Sequence, residues 1–170
     1  MLKQPRSLKS RALQLLAQRD QSRLELRGKL LRHARAEAAG DDDAAPAAGQ
    51  VDALLDWLEA NRLLSNERFV ESRVHAREAR FGNLRIKSEL AQHAVALPAE
   101  LERALADSEL ERALAVQACR FARAPRDGAE RAAQARFLLG RGFSPELVHR
   151  LMRRLSRSAD AGAGVPGEGG

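Results

Sequence analysis

The feature that most constrains this chain is that it repeats itself. Leu24-Glu-Leu26-Arg27-Gly-Lys-Leu30-Leu-Arg-His33-Ala34 matches Leu84-Arg-Ile86-Lys87-Ser-Glu-Leu90-Ala-Gln-His93-Ala94 at an offset of 60 residues. A weaker third copy, Ala132 to Gly142, places Leu138 where Leu30 and Leu90 sit. Each copy has helical spacing and is too short to be stable alone in water. Repeats of this kind bury their apolar stripes by stacking side by side, which gives an elongated, curved body.

The rest of the chain agrees with helix. Ala, Leu, Arg and Glu dominate, aromatics are 4%, Tyr is absent, and no stretch alternates with period two for long. Capping signals divide it: the capping boxes Ser22-Arg23-Leu24-Glu25 and Ser108-Glu109-Leu110-Glu111, the N-cap and first-turn proline of Ser144-Pro145-Glu146, and Asp127 with Glu130. Asn66 and Asn83 are further N-cap candidates, and Pro98 suits a first turn. These signals predict nine helices, over 7–19, 22–34, 51–62, 66–80, 83–94, 98–106, 109–123, 128–140 and 145–156. The fold class is therefore all-α, with three tandem three-helix repeats. Repeat 1 covers 7–65, with a flexible insert at 36–50 made of small residues and acids. Repeat 2 covers 66–107, repeat 3 covers 108–156, and 157–170 is expected to be a disordered tail.

Several function classes fall away. The single cysteine, Cys119, cannot build a disulfide framework or a multi-Cys zinc site. His33, His75, His93 and His149 have no metal-site spacing. There is no Gly-rich phosphate loop and no paired-carboxylate motif, so no catalytic, metal or cofactor residue is assigned and the chain reads as a non-enzyme. No apolar run is long enough to span a membrane and the N-terminus has no apolar signal core, which points to the cytoplasm.

Charge is distributed unevenly over a net of +6. Residues 1–35 carry ten Lys/Arg against two acids, and 108–155 carry ten against five, while 36–50 and 51–107 are net acidic. Arg73, Arg77 and Arg80 are spaced i, i+4 and i+7 and share a helix face, with Arg85 and Lys87 following across Phe81-Gly82. Guanidinium groups hold carboxylates and phosphates through bidentate contacts, so this set is the first candidate for partner binding. By pattern alone a solvated face paired locally with Glu78 and Glu89 is the better account of it. Arg19, Arg23, Arg27, Lys29 and Arg32 form a secondary basic patch, open to the same two readings. The five phenylalanines and Trp57 are spaced as core rather than as a base-stacking platform.

At this point the chain resembles the RecX family over about residues 8–155. The resemblance is carried by Leu63-Leu64-Ser65-Asn66-Glu67-Arg68-Phe69-Val70, by Arg73, Arg77, Arg80 and Gly82, and by Leu84-Arg85-Ile86-Lys87-Ser88-Glu89-Leu90. Arg136-Phe137-Leu138-Leu139-Gly140-Arg141-Gly142-Phe143-Ser144 is similar to the family's third-repeat ending. Ala34 and Ala94 depart from the pattern, standing where the family has a turn glycine, and His33 and His93 replace a common lysine. The resemblance implies a regulator that binds the groove of the RecA nucleoprotein filament and inhibits recombinase, ATPase and coprotease activities; a monomer is expected. Arg73, Arg77, Arg80, Arg85 and Lys87 would then face the filament, with weak direct DNA contact allowed. The competing expectation is a general nucleic-acid-binding helical repeat that acts without RecA.

Overall fold

The computed structural model describes residues 7–37 and 46–162. The described residues form helices and connections with no strand: α1 (Leu8–Gln18), α2 (Arg23–Glu37), α3 (Pro46–Ala60), α4 (Asn66–Glu78), α5 (Asn83–Gln92), α6 (Ala99–Phe121), α7 (Gly128–Gly140) and α8 (Pro145–Gly162). The all-α expectation therefore holds. The chain divides into two compact units. One comprises the chain through Arg73 together with Leu90–Val95; the other comprises Val74–Glu89 and the chain from Ala96 onward.

In the first unit, α1, α2 and α3 close around Ala12, Leu15, Leu26, Leu30, Val51, Leu55, Leu58 and Leu64. Leu26, Leu30, Leu55 and Leu58 are wholly buried, and each such side chain stabilises the fold by roughly 1.5–3 kcal/mol relative to exposure. The repeat residues Leu26 and Leu30 thus lie where their spacing predicts, on the buried stripe of α2. The α1–α2 turn is tightly wired. Buried Gln21 donates to the Leu15 carbonyl at 2.8 Å and accepts from Lys29 at 2.9 Å, which satisfies a carbonyl orphaned at the end of α1. Ser22 caps α2 by accepting from the Glu25 amide at 3.1 Å. The Glu25 carboxylate does not reach back to complete the box; it takes Arg19 and Lys29 instead.

The second unit has its own core, Ala113, Val116, Leu138, Phe143, Leu147, Val148, Leu151 and Met152, drawn from α6, α7, α8 and the turn before α8. Asp127 caps α7 by accepting from the Glu130 amide at 2.8 Å, and Ser144 caps α8 by accepting from the Leu147 amide at 3.3 Å, as their positions predict.

Four expectations are corrected. The stretches 98–106 and 109–123 form one helix, α6, so eight helices are described rather than nine. Ser108 sits in its middle, where its hydroxyl donates back to the Ala104 carbonyl at 2.9 Å instead of capping a new helix. The 36–50 stretch is not all insert: 36–37 end α2 and 46–50 open α3, and the remainder lies outside the described residues. Residues 157–162 extend α8, while the rest of the expected tail lies outside the described residues. Asn66 and Asn83 are first helical residues rather than caps. Ser65 caps α4 by accepting from the Arg68 amide at 3.2 Å, which frees the Asn66 side chain to accept from the Arg23 amide at 3.1 Å.

Among the described residues, the non-glycines Arg62, Ala94 and Ala122 have positive φ near +55°, at 57°, 54° and 56°. Each follows a helix. Ala94 is one of the two alanines that stand in place of the turn glycine, and its backbone takes the left-handed conformation that favours glycine. Ala34 lies inside α2 and needs no such turn.

Candidate partner-binding surface

The expected binding residues sit on α4, α5 and the turn between them. In the first unit, Arg73 is half-buried. Its guanidinium donates to His93 Nε2 at 3.4 Å and lies 5.3 Å from the centre of the Phe69 ring. His93 stands edge-on to Phe69 at 5.0 Å, with its Nδ1 3.4 Å from the Ser22 hydroxyl. Arg73 is thus held by aromatic and imidazole partners.

In the second unit the arginines gather around one ring. Phe81 is buried, and the guanidiniums of Arg77, Arg80, Arg85 and Arg141 lie 5.7, 5.7, 4.3 and 5.4 Å from its centre. Each cation is drawn to the negative face of the ring. One carboxylate, Glu89, serves two of them: it accepts from Arg77 at 2.9 Å and lies 3.5 Å from Arg85. Lys87 pairs with Glu102. Arg80 is exposed, and among the described residues no carboxylate pairs with it. The structure therefore brings Arg77, Arg80 and Arg85 together around Phe81 and places Lys87 in a separate pair.

The secondary patch is largely neutralised where it stands. Arg27 makes a bidentate pair with Asp52, at 2.6 and 3.0 Å, which raises the arginine and lowers the aspartate from their ordinary ranges. Arg23 spans Asp56 at 2.6 Å and Glu59 at 2.5 Å. These pairs tie α2 to α3. Arg19 and Lys29 converge on Glu25; burial opposes ionisation of this carboxyl, yet the two hydrogen bonds hold its pKa at about 2. Arg32 is exposed.

Two residues escaped sequence reasoning. Arg141 joins the Phe81 cluster and also lies 5.0 Å from the Phe137 ring; its place in the Arg-Gly-Phe stretch was the available signal. Arg112 is the second. Its guanidinium donates to the carbonyls of Glu78, Phe81 and Leu105, each at 2.9 Å, and to the Asn83 side chain. Burial pushes its pKa down from the usual arginine value. It holds the end of α4 and the start of α5, and so supports the basic cluster from beneath. Nothing in the local sequence distinguishes it from a solvated helix arginine.

The phenylalanine expectation holds for Phe69, Phe81 and Phe143, which are buried. Trp57 differs. It is 39% exposed on α3, and the Lys9 ammonium sits 3.7 Å from its ring centre. Among the described residues no cluster of His, Cys, Asp and Glu has metal-site geometry, and no helix is long and apolar enough to cross a membrane.

No family model matches the chain. Individual proteins do, over nearly their whole length. The chain is 44% identical to a protein of Ralstonia nicotianae named Regulatory protein RecX, over 162 residues that cover 94% of this chain and 95% of that one. It is 46% identical to the protein of the same name from Herbaspirillum seropedicae, over 161 residues with the same coverage. A third RecX, from Ralstonia pickettii, is 45% identical over 152 residues, covering 88% and 89%. Identity of this level over about nine-tenths of the chain means that it belongs to the RecX family of regulatory proteins.

Proposed function

We propose that this protein regulates the RecA recombinase by docking on RecA–DNA filaments and restraining recombinase, ATPase and coprotease activities. It acts in the cytoplasm as a monomer and without catalytic chemistry of its own. Its helices are read as three tandem repeats, with Arg73 of the first unit and Arg77, Arg80, Arg85 and Lys87 of the second as the docking residues. The observation that carries this reading is the end-to-end similarity to proteins named as RecX regulators. The charge pattern supports it. Arg77, Arg80, Arg85 and Lys87 share two carboxylates, Glu89 and Glu102, so this part of the second unit retains positive charge for an anionic partner. The secondary patch is a weaker candidate because Arg19, Arg23, Arg27 and Lys29 already hold carboxylates.

The test is RecA ATPase on single-stranded DNA with added protein. Inhibition at stoichiometric amounts is expected, and its absence rejects the proposal. Replacing Arg73, Arg77 and Arg80 by Glu should weaken filament co-sedimentation and leave helicity unchanged; intact co-sedimentation shows that another face docks. Gel shifts on DNA alone across a salt series address binding without RecA, since phosphate contacts weaken steeply as salt rises. DNA binding strong enough to need no RecA would favour the general nucleic-acid reading.

A further inference from the structure

The second unit contains a cleft of about 280 Å³ that shares Arg80 and Arg141 with the Phe81 cluster. Val116, Cys119 and Phe137 line its apolar part, and Arg80, Arg120 and Arg141 stand around them. The volume lies just below the roughly 300 Å³ at which small-molecule and cofactor pockets begin. It is ample for one large side chain.

The three arginines share one property. Among the described residues, none of them pairs with a carboxylate. Each is held by an aromatic ring instead: Arg80 over Phe81 at 5.7 Å, Arg120 over Phe121 at 5.4 Å, and Arg141 over Phe137 at 5.0 Å, with one Arg141 N–H also donated to the Arg80 carbonyl at 3.4 Å. A ring fixes a guanidinium without engaging most of its N–H donors, so those donors remain available for a planar, bidentate contact to a carboxylate. An apolar slot ringed by three uncompensated cations is complementary to an apolar side chain flanked by negative charges.

Nucleic acid fits the cleft less well. Base stacking needs an open ring face, and Phe137 already carries Arg141 over its ring and meets Phe121 edge-to-face at 5.3 Å. From these observations we infer that the cleft binds an acidic peptide segment of a partner protein, which inserts one apolar side chain between Val116 and Phe137 and sets its carboxylates against Arg80, Arg120 and Arg141. The inference goes beyond the filament reading and does not require that the partner be RecA.

Cys119 supplies the test, because it lines the cleft, is exposed and is the one cysteine of the chain. The full-length protein is alkylated with iodoacetamide in the presence and absence of the capped peptide Glu-Asp-Phe-Glu-Asp, at up to ~1 mM, the weak limit of a useful docking affinity. The peptide should slow alkylation of Cys119 several-fold. The peptides Gln-Asn-Phe-Gln-Asn and Glu-Asp-Ala-Glu-Asp should protect far less, since each lacks half of the complementarity. Arg120→Glu, at an exposed position, should weaken protection by about tenfold with an unchanged circular dichroism spectrum. Arg120→Lys should retain part of it. Equal protection by oligo(dT) overturns the inference in favour of nucleic acid. Failure of the acidic peptide to protect Cys119, or protection indifferent to Arg120→Glu, overturns it outright. None of these readouts involves RecA, so failure here is distinct from failure in the ATPase assay.

Discussion

Gly82 and Gly142 meet backbone to backbone. The Gly82 amide donates to the Arg141 carbonyl at 3.0 Å, and the Leu84 amide donates to the Gly142 carbonyl at 3.1 Å. A Cβ added at Gly82 would lie 2.3 Å from the Gly142 oxygen, and one added at Gly142 would lie 2.4 Å from Arg85 Cβ. Gly142 also has a φ of +82°. The contact joins the α4–α5 turn to the α7–α8 turn and leaves no room for a methyl group on either side.

Gly82→Ala should therefore destabilise the protein by about 3 kcal/mol or more, because the clash is with backbone and neither turn can rotate it away. Gly142→Ala should cost a similar amount, with unfavourable φ added to the clash. Gly128→Ala is the control: nothing lies within 4 Å of a Cβ there, and its effect should stay within about 0.5 kcal/mol. Urea unfolding of the three variants checks this order.

Ala94→Gly should act in the opposite direction. Ala94 has a φ of 54°, a conformation that costs a Cβ-bearing residue roughly 1 kcal/mol. Relief of that strain, reduced by the added freedom of glycine in the unfolded chain, should stabilise by about 0.5 kcal/mol and raise Tm by one or two degrees. A lower Tm contradicts the assignment of strain.

Arg112→Met keeps the aliphatic stem and removes the guanidinium. Three carbonyls and the Asn83 side chain then lose their donor. Each part-buried acceptor left without a partner costs about 1 kcal/mol, so a loss of roughly 2–4 kcal/mol is expected. Hydrogen exchange should show faster opening at the end of α4 and the start of α5.

Glu25 gives a pH signature. Its carboxyl is held at about 2, below the usual value near 4.3. A depressed native pKa contributes stability in full above the unfolded pKa, and that contribution is lost as pH falls from about 4.3 toward 2. With solvent screening at Arg19, which is about half exposed, the contribution at neutral pH should be about 1–2 kcal/mol. Glu25→Gln should lower stability at pH 7 by that amount and flatten the acid limb relative to the parent. Parallel acid titrations of Tm are the measurement.

Much of the architecture could be read from residue order, for physical reasons. Helical periodicity and caps are local, so the stripe of Leu26 and Leu30 and the caps at Ser22, Asp127 and Ser144 were visible in sequence. Ser108 misled because its capping box competes with a helix already propagating from Ala99, and with no Gly or Pro nearby propagation prevails. The fate of the arginines was legible only in part. Pairing with nearby Glu89 was open in sequence and is found for Arg77 and Arg85. Arg27, at 25 residues' separation, finds Asp52; such a pairing depends on how helices are set against one another. By sequence Arg27 and Arg80 are alike. In the fold one joins α2 to α3 and the other is exposed with no counter-charge among the described residues.

The position of Glu89 has a further consequence. One carboxylate restrains two guanidiniums, so the local balance of charge around Phe81 turns on a single acidic codon. Neutralising that side chain would release both cations at once while Phe81 still held their guanidiniums in place. Under the proposed docking, the charge that this surface offers is set by one side chain and can be reset without rebuilding any helix.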